Sequence, residues 1–265
     1  MEFSHSGNFG DVIYSLPFCK AIAKINNQKR FAINLKINVK AQYDGTHPLG
    51  NLRMNRQVAE MIKPLLLEQK YISSVTIEEI TPKRAFDLDQ FREINAFDLS
   101  CGSISHWYYP LSIDLIEPPN LTRPWLKIKK KADNFGKDVI VFRSSRYRRD
   151  DLDYRILEKI KHRCLFIGIK DEHVDFCRHF FNIDYLKIDD FLYAAKLIHA
   201  AKLVIGNQTG LFSIAEAMKK PRILETAFKC PNVVMSGGAF QYAIHPDQFN
   251  RIVPQFAKKF LAEDK

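Results

Sequence analysis

The sequence contains no long uninterrupted run of apolar residues, which limits the classes of protein it can represent. A membrane-spanning helix needs roughly 18 or more consecutive apolar residues, and none of the 265 residues lies in such a run. No signal-peptide pattern precedes the first recognisable motif. We therefore expect a soluble, cytoplasmic protein, with peripheral attachment to a membrane left open.

Cysteine is scarce, and histidine shows no ordered spacing. The cysteines are an odd number at scattered positions: Cys19, Cys101, Cys164, Cys177 and Cys230. A disulfide framework or a structural zinc site needs paired, regularly spaced cysteines. The eight histidines likewise lack metal-ligand spacing. The pattern is typical of a reducing compartment, and we predict neither a metal nor a cofactor.

Basic tails, Gly/Arg-rich segments and internal repeats are also absent, yet the formal net charge is +10 at pH 7. Local basic clusters lie at residues 127–131 and 143–149. Positive charge favours an anionic partner, which can be a nucleic acid, a lipid surface or a phosphorylated small molecule. Charge alone does not choose among these three.

Strand-like and helical patterns alternate along the chain. Strands are predicted at 3–4, 31–35, 74–77, 139–142, 165–169, 185–188, 203–205 and 222–224. Helices are predicted at 12–25, 57–67, 152–160, 172–181, 191–201 and 211–218. Such alternation indicates βαβ units, an α/β fold and parallel sheets. Prolines and lysines at 118–133 indicate a boundary between domains 1–130 and 131–265.

Two glycine-containing loops precede predicted helices. Residues 5–17 read HSGNFGDVIYSLP, and residues 203–221 read LVIGNQTGLFSIAEAMKKP. Free backbone N–H groups at a helix start attract phosphate groups, although neither loop is a P-loop or a GxGxxG motif. The alternative is an ordinary turn in each case, capped by Asp11 in the first and by Thr209 in the second. Spacing alone leaves both interpretations open.

Together these segments resemble glycosyltransferase family 9, the ADP-heptose:lipopolysaccharide heptosyltransferases. GDVIYSLP is similar to the N-terminal motif of that family, and GNQTGLFSIAEAMKKP to its donor motif. FIGIKDEHVDF resembles the segment whose glutamate holds the donor ribose. The resemblance covers most of 138–221 and 6–17. It implies a GT-B architecture, in which two Rossmann-like domains with parallel sheets face a central cleft, and it allows the C-terminal helix to cross back.

The resemblance also implies roles for individual residues. Asp11 occupies the position of the catalytic base, and Glu172 that of the ribose-binding glutamate. On the donor side it implies Ser144, Arg146, Arg148, Gln208, Thr209, Gly210 and Leu211, with Arg146 favoured over Arg148 for the pyrophosphate. On the acceptor side we expect Gly7, Asn8, Gly10, Asp89, Arg92 and His106. Gln208 replaces the family's aspartate that touches the donor sugar, so the resemblance does not identify that sugar.

The implied function is a metal-independent, inverting glycosyltransferase that uses a nucleoside-diphosphate sugar and a glycan or lipid-linked acceptor at the inner membrane surface. Enzymes of this type stabilise the leaving diphosphate with arginines and helix dipoles. Two alternatives stay open: a noncatalytic nucleotide-sugar-binding protein of the same fold, and a basic nucleic-acid-binding protein, although we expect no nucleic acid.

Two further segments allow more than one interpretation. Asp87-Leu-Asp89 can be a metal site, or an acidic turn paired with Arg84 or Arg92. The segment His106-Trp107-Tyr108-Tyr109 can stack on an acceptor sugar, or it can form an aromatic strand in the core.

Overall fold

The structure, a computed structural model, describes residues 1–41, 49–94, 102–112, 116–118 and 120–261. Cys101 and Pro119, which enter the cysteine count and the predicted domain boundary, lie outside the described residues. Within the described ranges, no helix combines the length and apolar character needed to cross a membrane.

The first half of the chain forms a four-stranded parallel sheet. Its strands are β1 (Glu2–His5), β2 (Phe31–Lys36), β3 (Ile72–Glu78) and β4 (Phe86–Asp87), in the order β3-β2-β1-β4. The helices α1 (Phe9–Ile25) and α2 (Arg56–Leu67) follow β1 and β2. The strand order reverses between β1 and β4, so the loops that follow these two strands meet at the carboxyl edge.

The second half forms a six-stranded parallel sheet in the order β10-β9-β8-β5-β6-β7. Its strands are β5 (Val139–Phe142), β6 (Cys164–Ile167), β7 (Asp184–Leu186), β8 (Leu203–Asn207), β9 (Arg222–Glu225) and β10 (Phe240–Ala243). Its helices are α3 (Lys170–His179), α4 (Phe191–Ala200), α5 (Gly210–Ala217) and α6 (Pro246–Phe260). β5 and β8 are buried along their whole length, as expected for a parallel sheet covered on both faces.

The α/β class and the parallel sheets are therefore confirmed, but several elements differ from the prediction. Tyr154–Arg163 is 3-10 helix instead of the predicted α-helix, and it is interrupted by a kink at Ile160 (φ −118°, ψ 17°). The aromatic segment at 106–109 is not a strand, since it joins two short 3-10 helices, Ile104–His106 and Tyr109–Ser112. α6 packs against β8, β10 and the 3-10 helix at Tyr154–Arg163.

The helices that follow the two glycine-containing loops, α1 and α5, meet at their N-termini. A Cβ atom added to Gly10 would lie 3.3 Å from the Gly210 Cα atom. The Phe9 ring covers Gly210, where an added Cβ would lie 2.0 Å from the Phe9 Cζ atom. Phe9 also stacks on Phe191 with ring centroids 3.9 Å apart. Glycine at 10 and 210 thus allows α1 and α5 to approach each other without side chains between them.

We expect Gly210→Ala to lower the free energy of unfolding by roughly 1–3 kcal/mol, the usual cost of overpacking. Helix propensity alone predicts the opposite sign, because alanine favours a helix over glycine by about 1 kcal/mol. Urea denaturation measures the change. In a double-mutant cycle with Phe9→Ala, which vacates the space, the cost of Gly210→Ala should largely disappear. An unchanged stability in Gly210→Ala would contradict the close contact.

Candidate functional site

Asp11 lies in the first turn of α1, at the carboxyl edge of the first sheet. Its Oδ2 atom accepts a hydrogen bond from the backbone N–H of Asn8 at 3.1 Å, as one half of a capping box. A terminal nitrogen of Arg92 lies 3.7 Å from the same oxygen. Asp11 therefore makes the helix-capping contact that the alternative interpretation predicted. The side chain is still 17% exposed, so capping does not seal it from a ligand.

Asp89 and Arg92 come from the 3-10 helix Leu88–Glu93 that follows β4. Both carboxylate oxygens of Asp89 accept the backbone N–H of Ser6, at 3.1 and 3.2 Å. Burial opposes the charge on Asp89, but the hydrogen bonds from Ser6 and the field of Arg92 act against burial, and the pKa of Asp89 is lowered. The Ser6 hydroxyl accepts from Arg53 at 3.0 Å. The loop after β1 is thus bound to the segment after β4.

The Asp87-Leu-Asp89 segment forms a bonded turn. Asp87 accepts from the backbone N–H of Asp89 at 3.0 Å and from the Thr81 hydroxyl at 3.3 Å. Asp89 lies 3.9 Å from Arg92, which agrees with the ion-pair interpretation. Among the described residues, no group of three or more histidine, cysteine or acidic side chains is placed to hold a metal ion.

Two residues outside the predicted set of acceptor-side residues, His5 and Tyr108, complete this cluster. His5 Nδ1 accepts the Gly7 N–H at 2.7 Å, and His5 Nε2 lies 2.7 Å from the Tyr108 hydroxyl. That hydroxyl donates to the backbone carbonyl of Asp11 at 3.2 Å. The available sequence signal for His5 was its position at the end of the first strand. Tyr108 was considered only within the aromatic segment 106–109, and its bonds to His5 and Asp11 had no sequence signal, because these partners lie about a hundred residues earlier.

His106 is not brought together with these residues by any described contact. Its side chain is exposed, and its ring packs edge-on against Tyr109 with centroids 5.6 Å apart. Tyr109 in turn packs on Phe18, which lies about 10 Å along α1 from Asp11. Trp107 and Tyr108 are buried, as the core interpretation expected.

Asn207, which was not among the predicted site residues either, fixes the loop after β5. It is completely buried at the end of β8. Its Oδ1 accepts the Ser144 N–H at 2.9 Å, and its Nδ2 donates to the carbonyls of Ser144 at 2.9 Å and Arg146 at 2.7 Å. β5 and β8 are neighbours where the strand order reverses, which is where doubly wound α/β folds bind ligands. The asparagine of GNQTG was the signal that could have identified it.

The helix α5 begins at this point. The Thr209 hydroxyl accepts the Phe212 N–H at 3.3 Å and caps the helix. Gly210 and Leu211 are the first two helical residues, so their N–H groups have no partner within the helix. Gly206 is required here, because an added Cβ would lie 2.3 Å from the Phe142 ring. The Thr209 cap and two N–H groups without a partner inside the helix are therefore present together at this helix start.

Arg146 and Arg148, in the loop after β5, have different hydrogen-bond partners. Arg148 donates to Asp175 at 2.7 Å and lies 3.0 Å from Asp150. Arg146 donates to the Tyr147 hydroxyl at 2.8 Å, and its guanidinium lies 4.6 Å from the Tyr147 ring centre. Burial raises the pKa of Tyr147, and the field of Asp11 adds to that rise.

The loop after β5 is also anchored at its base by a buried ion pair. The Arg143 Nε atom donates to Glu225 at 2.9 Å, and both side chains are buried. Arg143 also donates to the Arg149 carbonyl at 2.6 Å, while Glu225 accepts the Arg149 N–H. Tyr154 donates to Glu225 at 2.8 Å. These bonds join the two ends of the loop, so Arg143 is structural.

Glu172 and Gln208 border the same loops. Burial raises the pKa of Glu172 to about 7, although backbone hydrogen bonds from Ile169 and Ser145 act against the rise. Gln208 is 8% exposed and donates to the Asn232 side chain. The Gln208 Oε1 atom is buried and has no hydrogen-bond partner among the described residues. A buried amide oxygen of this kind is a ready acceptor for a ligand hydroxyl.

Comparison with known proteins gives matches in structure but not in sequence. No protein-family model matches the chain. No curated protein sequence matches it either. Several solved structures match nearly the whole chain, at low sequence identity.

A glycosyl transferase family 9 protein from Veillonella parvula DSM 2008 matches with a TM-score of 0.63 at 9% identity, covering 99% of this chain and 97% of the other. E. coli ADP-heptose LPS heptosyltransferase II matches at 0.62 with 13% identity, covering 98% and 99%. E. coli heptosyltransferase WaaC with ADP matches at 0.59 with 11% identity, covering 97% and 98%. At these identities the likeness establishes a shared fold.

The raised pKa of Glu172 predicts a specific pH dependence of stability. The folded protein holds a proton that the unfolded chain releases above its ordinary value of 4.5. The stability linked to Glu172 is therefore lost as pH rises from about 4.5 through about 7. Glu172→Gln should remove this loss, so that the variant gains stability relative to wild type between pH 5 and pH 8. Thermal melts at both pH values measure the difference, with the exposed Glu158→Gln as a control that should track wild type.

Proposed function

We propose that the protein is a glycosyltransferase of GT-B type that moves a sugar from a nucleoside-diphosphate sugar to a glycan or lipid-linked acceptor. The observation that carries the proposal is the contact between Gly10 and Gly210. It brings the start of α1, with Asp11, next to the start of α5, with its free N–H groups. The fold shared with a family 9 glycosyl transferase and two heptosyltransferases supports this assignment.

In this scheme the donor diphosphate binds across the loops after β5 and β8. The N–H groups of Gly210 and Leu211, together with the Thr209 hydroxyl, face the phosphates, since a helix N-terminus favours negative charge. Arg146 adds a cation, and Ser144 borders the same loop. Glu172 contacts the ribose and Gln208 the sugar. Domain 131–265 thus holds the donor, and domain 1–130 holds the acceptor across the cleft.

The chemical step is a single displacement at the anomeric carbon. The carboxylate of Asp11 takes the proton of the acceptor hydroxyl, and the acceptor oxygen forms a bond to that carbon from the face opposite the diphosphate. The bond between the carbon and the diphosphate oxygen breaks, and the configuration inverts. The negative charge that develops on the diphosphate is stabilised by the α5 N-terminus and Arg146. The scheme uses no metal ion and no cofactor.

The acceptor enters along the loop after β1. Asn8 and Gly10 are partly exposed there, whereas Gly7 is buried. Arg92 and Asp89 supply charged groups beside Asp11. His106 stays an acceptor-side prediction without a described contact to this cluster. The enzyme would work in the cytoplasm, at the inner membrane surface when the acceptor is lipid-linked.

Donor binding can be tested without knowing the acceptor. We expect a nucleoside diphosphate, with ADP tried first and then UDP and GDP, to bind to the wild-type protein in calorimetry. Arg146→Ala should weaken binding by roughly 1.5–3 kcal/mol, the usual scale of charge-assisted hydrogen bonds. Arg155→Ala, on an exposed arginine paired with Asp153, is the control and should bind normally. Unchanged affinity in both Arg146→Ala and Arg148→Ala would refute this placement.

The base is tested by Asp11→Asn, which keeps the shape and the capping oxygen but loses the carboxylate. Turnover should fall by about 10²–10⁴-fold, the usual contribution of a positioned base, while donor affinity stays near wild type. Asp190→Asn is the control, because the Asp190 carboxylate also accepts a backbone N–H at a helix start, that of Tyr193, although Asp190 is the N-cap of α4 and Asp11 is the third residue of α1. Near-normal turnover in Asp11→Asn would make Asp11 only a cap. Nucleotide binding by wild type without any turnover would favour the noncatalytic alternative.

A further inference from the structure

His5 lies at the end of β1, where its imidazole is 1% exposed and both ring nitrogens are hydrogen-bonded. The Gly7 N–H can only donate, so His5 Nδ1 accepts and carries no proton. The Tyr108 hydroxyl has one proton, which it donates to the Asp11 carbonyl at 3.2 Å. His5 Nε2 must therefore donate to the Tyr108 oxygen at 2.7 Å. The hydrogen-bond network thus assigns the neutral Nε2–H tautomer.

These bonds attach the loop between β1 and α1 at both ends. His5 holds Gly7 directly and Asp11 through Tyr108. The packing is equally restrictive, because a Cβ atom added to Gly7 would lie 2.4 Å from His5 Cε1 and 2.8 Å from Asp11 Oδ2. The imidazole therefore fills the space beneath the loop, and the loop cannot shift without breaking one of the three bonds.

Charged groups from several elements face the imidazole. Asp89 Oδ1 lies 3.8 Å from His5 Nδ1. Burial lowers the pKa of His5 and outweighs the opposing fields of Asp89 and Asp11, while Arg92 and Arg53 act in the same direction as burial. Protonation of Nδ1 would place its N–H against the Gly7 N–H, and two donors cannot bond to each other. Acid pH is therefore expected to release the loop.

We infer that His5 is a positioning residue, which holds the loop carrying Asp11 in its working conformation through Gly7 and Tyr108, as a neutral imidazole protonated at Nε2. Only the part of the inference that concerns the role of Asp11 rests on the proposed function. His5 is not a catalytic residue in this scheme, because it contacts neither the donor nor the acceptor. Its effect should appear in turnover, with donor affinity unchanged.

The tautomer is tested first, without any substrate. In the intact protein labelled with ¹⁵N-histidine, the imidazole signal absent from His5→Asn belongs to His5. We expect the pattern of the neutral Nε2–H tautomer at pH 7 and still at pH 6.5, where an ordinary histidine is half protonated. An Nδ1–H tautomer or an imidazolium ion at pH 7 would overturn the inference.

The positioning effect is tested by Tyr108→Phe, which keeps the ring and removes only the link between His5 and Asp11. Tyr109→Phe is the matched control, because the Tyr109 hydroxyl is buried without a hydrogen-bond partner among the described residues. We expect Tyr108→Phe to lower kcat about 10–100-fold, since small misplacements of reacting groups have effects of this size. Tyr109→Phe should turn over normally, and both should bind the nucleoside diphosphate as wild type does.

The pH profile separates positioning from a passive structural role. Asparagine at position 5 offers a side-chain oxygen to the Gly7 N–H and does not titrate. His5→Asn should therefore retain part of kcat and lose the fall in kcat that wild type shows as pH drops below 6.5. Over the same pH range the protection of the Gly7 amide against hydrogen exchange, corrected for the intrinsic pH dependence of exchange, should fall in wild type only.

The outcomes distinguish the two proposals. Normal kcat in Tyr108→Phe, or a Gly7 amide whose exchange does not change as His5 protonates, would overturn the positioning role while glycosyl transfer stands. Absence of turnover and of nucleotide binding in wild type would overturn the proposed function. In that case the imidazole signals and the Gly7 exchange would still decide how His5 holds the loop.

Discussion

The close approach of two helix N-termini is the constraint on which the rest of the structure depends. α1 and α5 belong to different sheets, and they meet where Gly10 faces Gly210 under the Phe9 ring. A side chain at Gly210 would overlap the Phe9 ring, which would have to leave its stack on Phe191, and a side chain at Gly10 would press against the backbone of Gly210. The same contact sets the distance between the two candidate ligand-binding loops. Packing and function therefore impose the same requirement on these positions.

Both sheets present their loops in the same way. The strand order reverses once in each sheet, between β1 and β4 in the first and between β8 and β5 in the second. At each reversal the two neighbouring loops are joined by hydrogen bonds from a side chain to the backbone. Asp89 does this for Ser6, and Asn207 does it for Ser144 and Arg146. These bonds fix the loops before any ligand arrives. Such preorganisation is what electrostatic stabilisation of a transition state requires.

Local patterns predicted most of this arrangement, and long-range pairings account for the rest. Strand β8, the turn and α5 follow from an apolar run, two glycines and a capping threonine, all adjacent in sequence. β4 has only two residues, too few to show alternation. The bond of His5 to Tyr108 joins residues 103 positions apart, and no local pattern encodes it. Arg143 was grouped with its basic neighbours because Glu225, its partner, comes from a strand far along the chain.

A side chain that caps one of these helices can also contact a ligand, because the cap uses only part of its hydrogen-bonding capacity. Asp11 accepts one N–H through Oδ2, and a carboxylate has about four lone-pair positions to offer. Thr209 accepts one N–H through its hydroxyl and keeps the O–H proton to donate. The cap fixes each side chain in one rotamer, which reduces the entropy that a ligand would otherwise have to remove. Asp11 and Thr209 can therefore each cap a helix and bind a ligand, so the two interpretations of each loop are compatible.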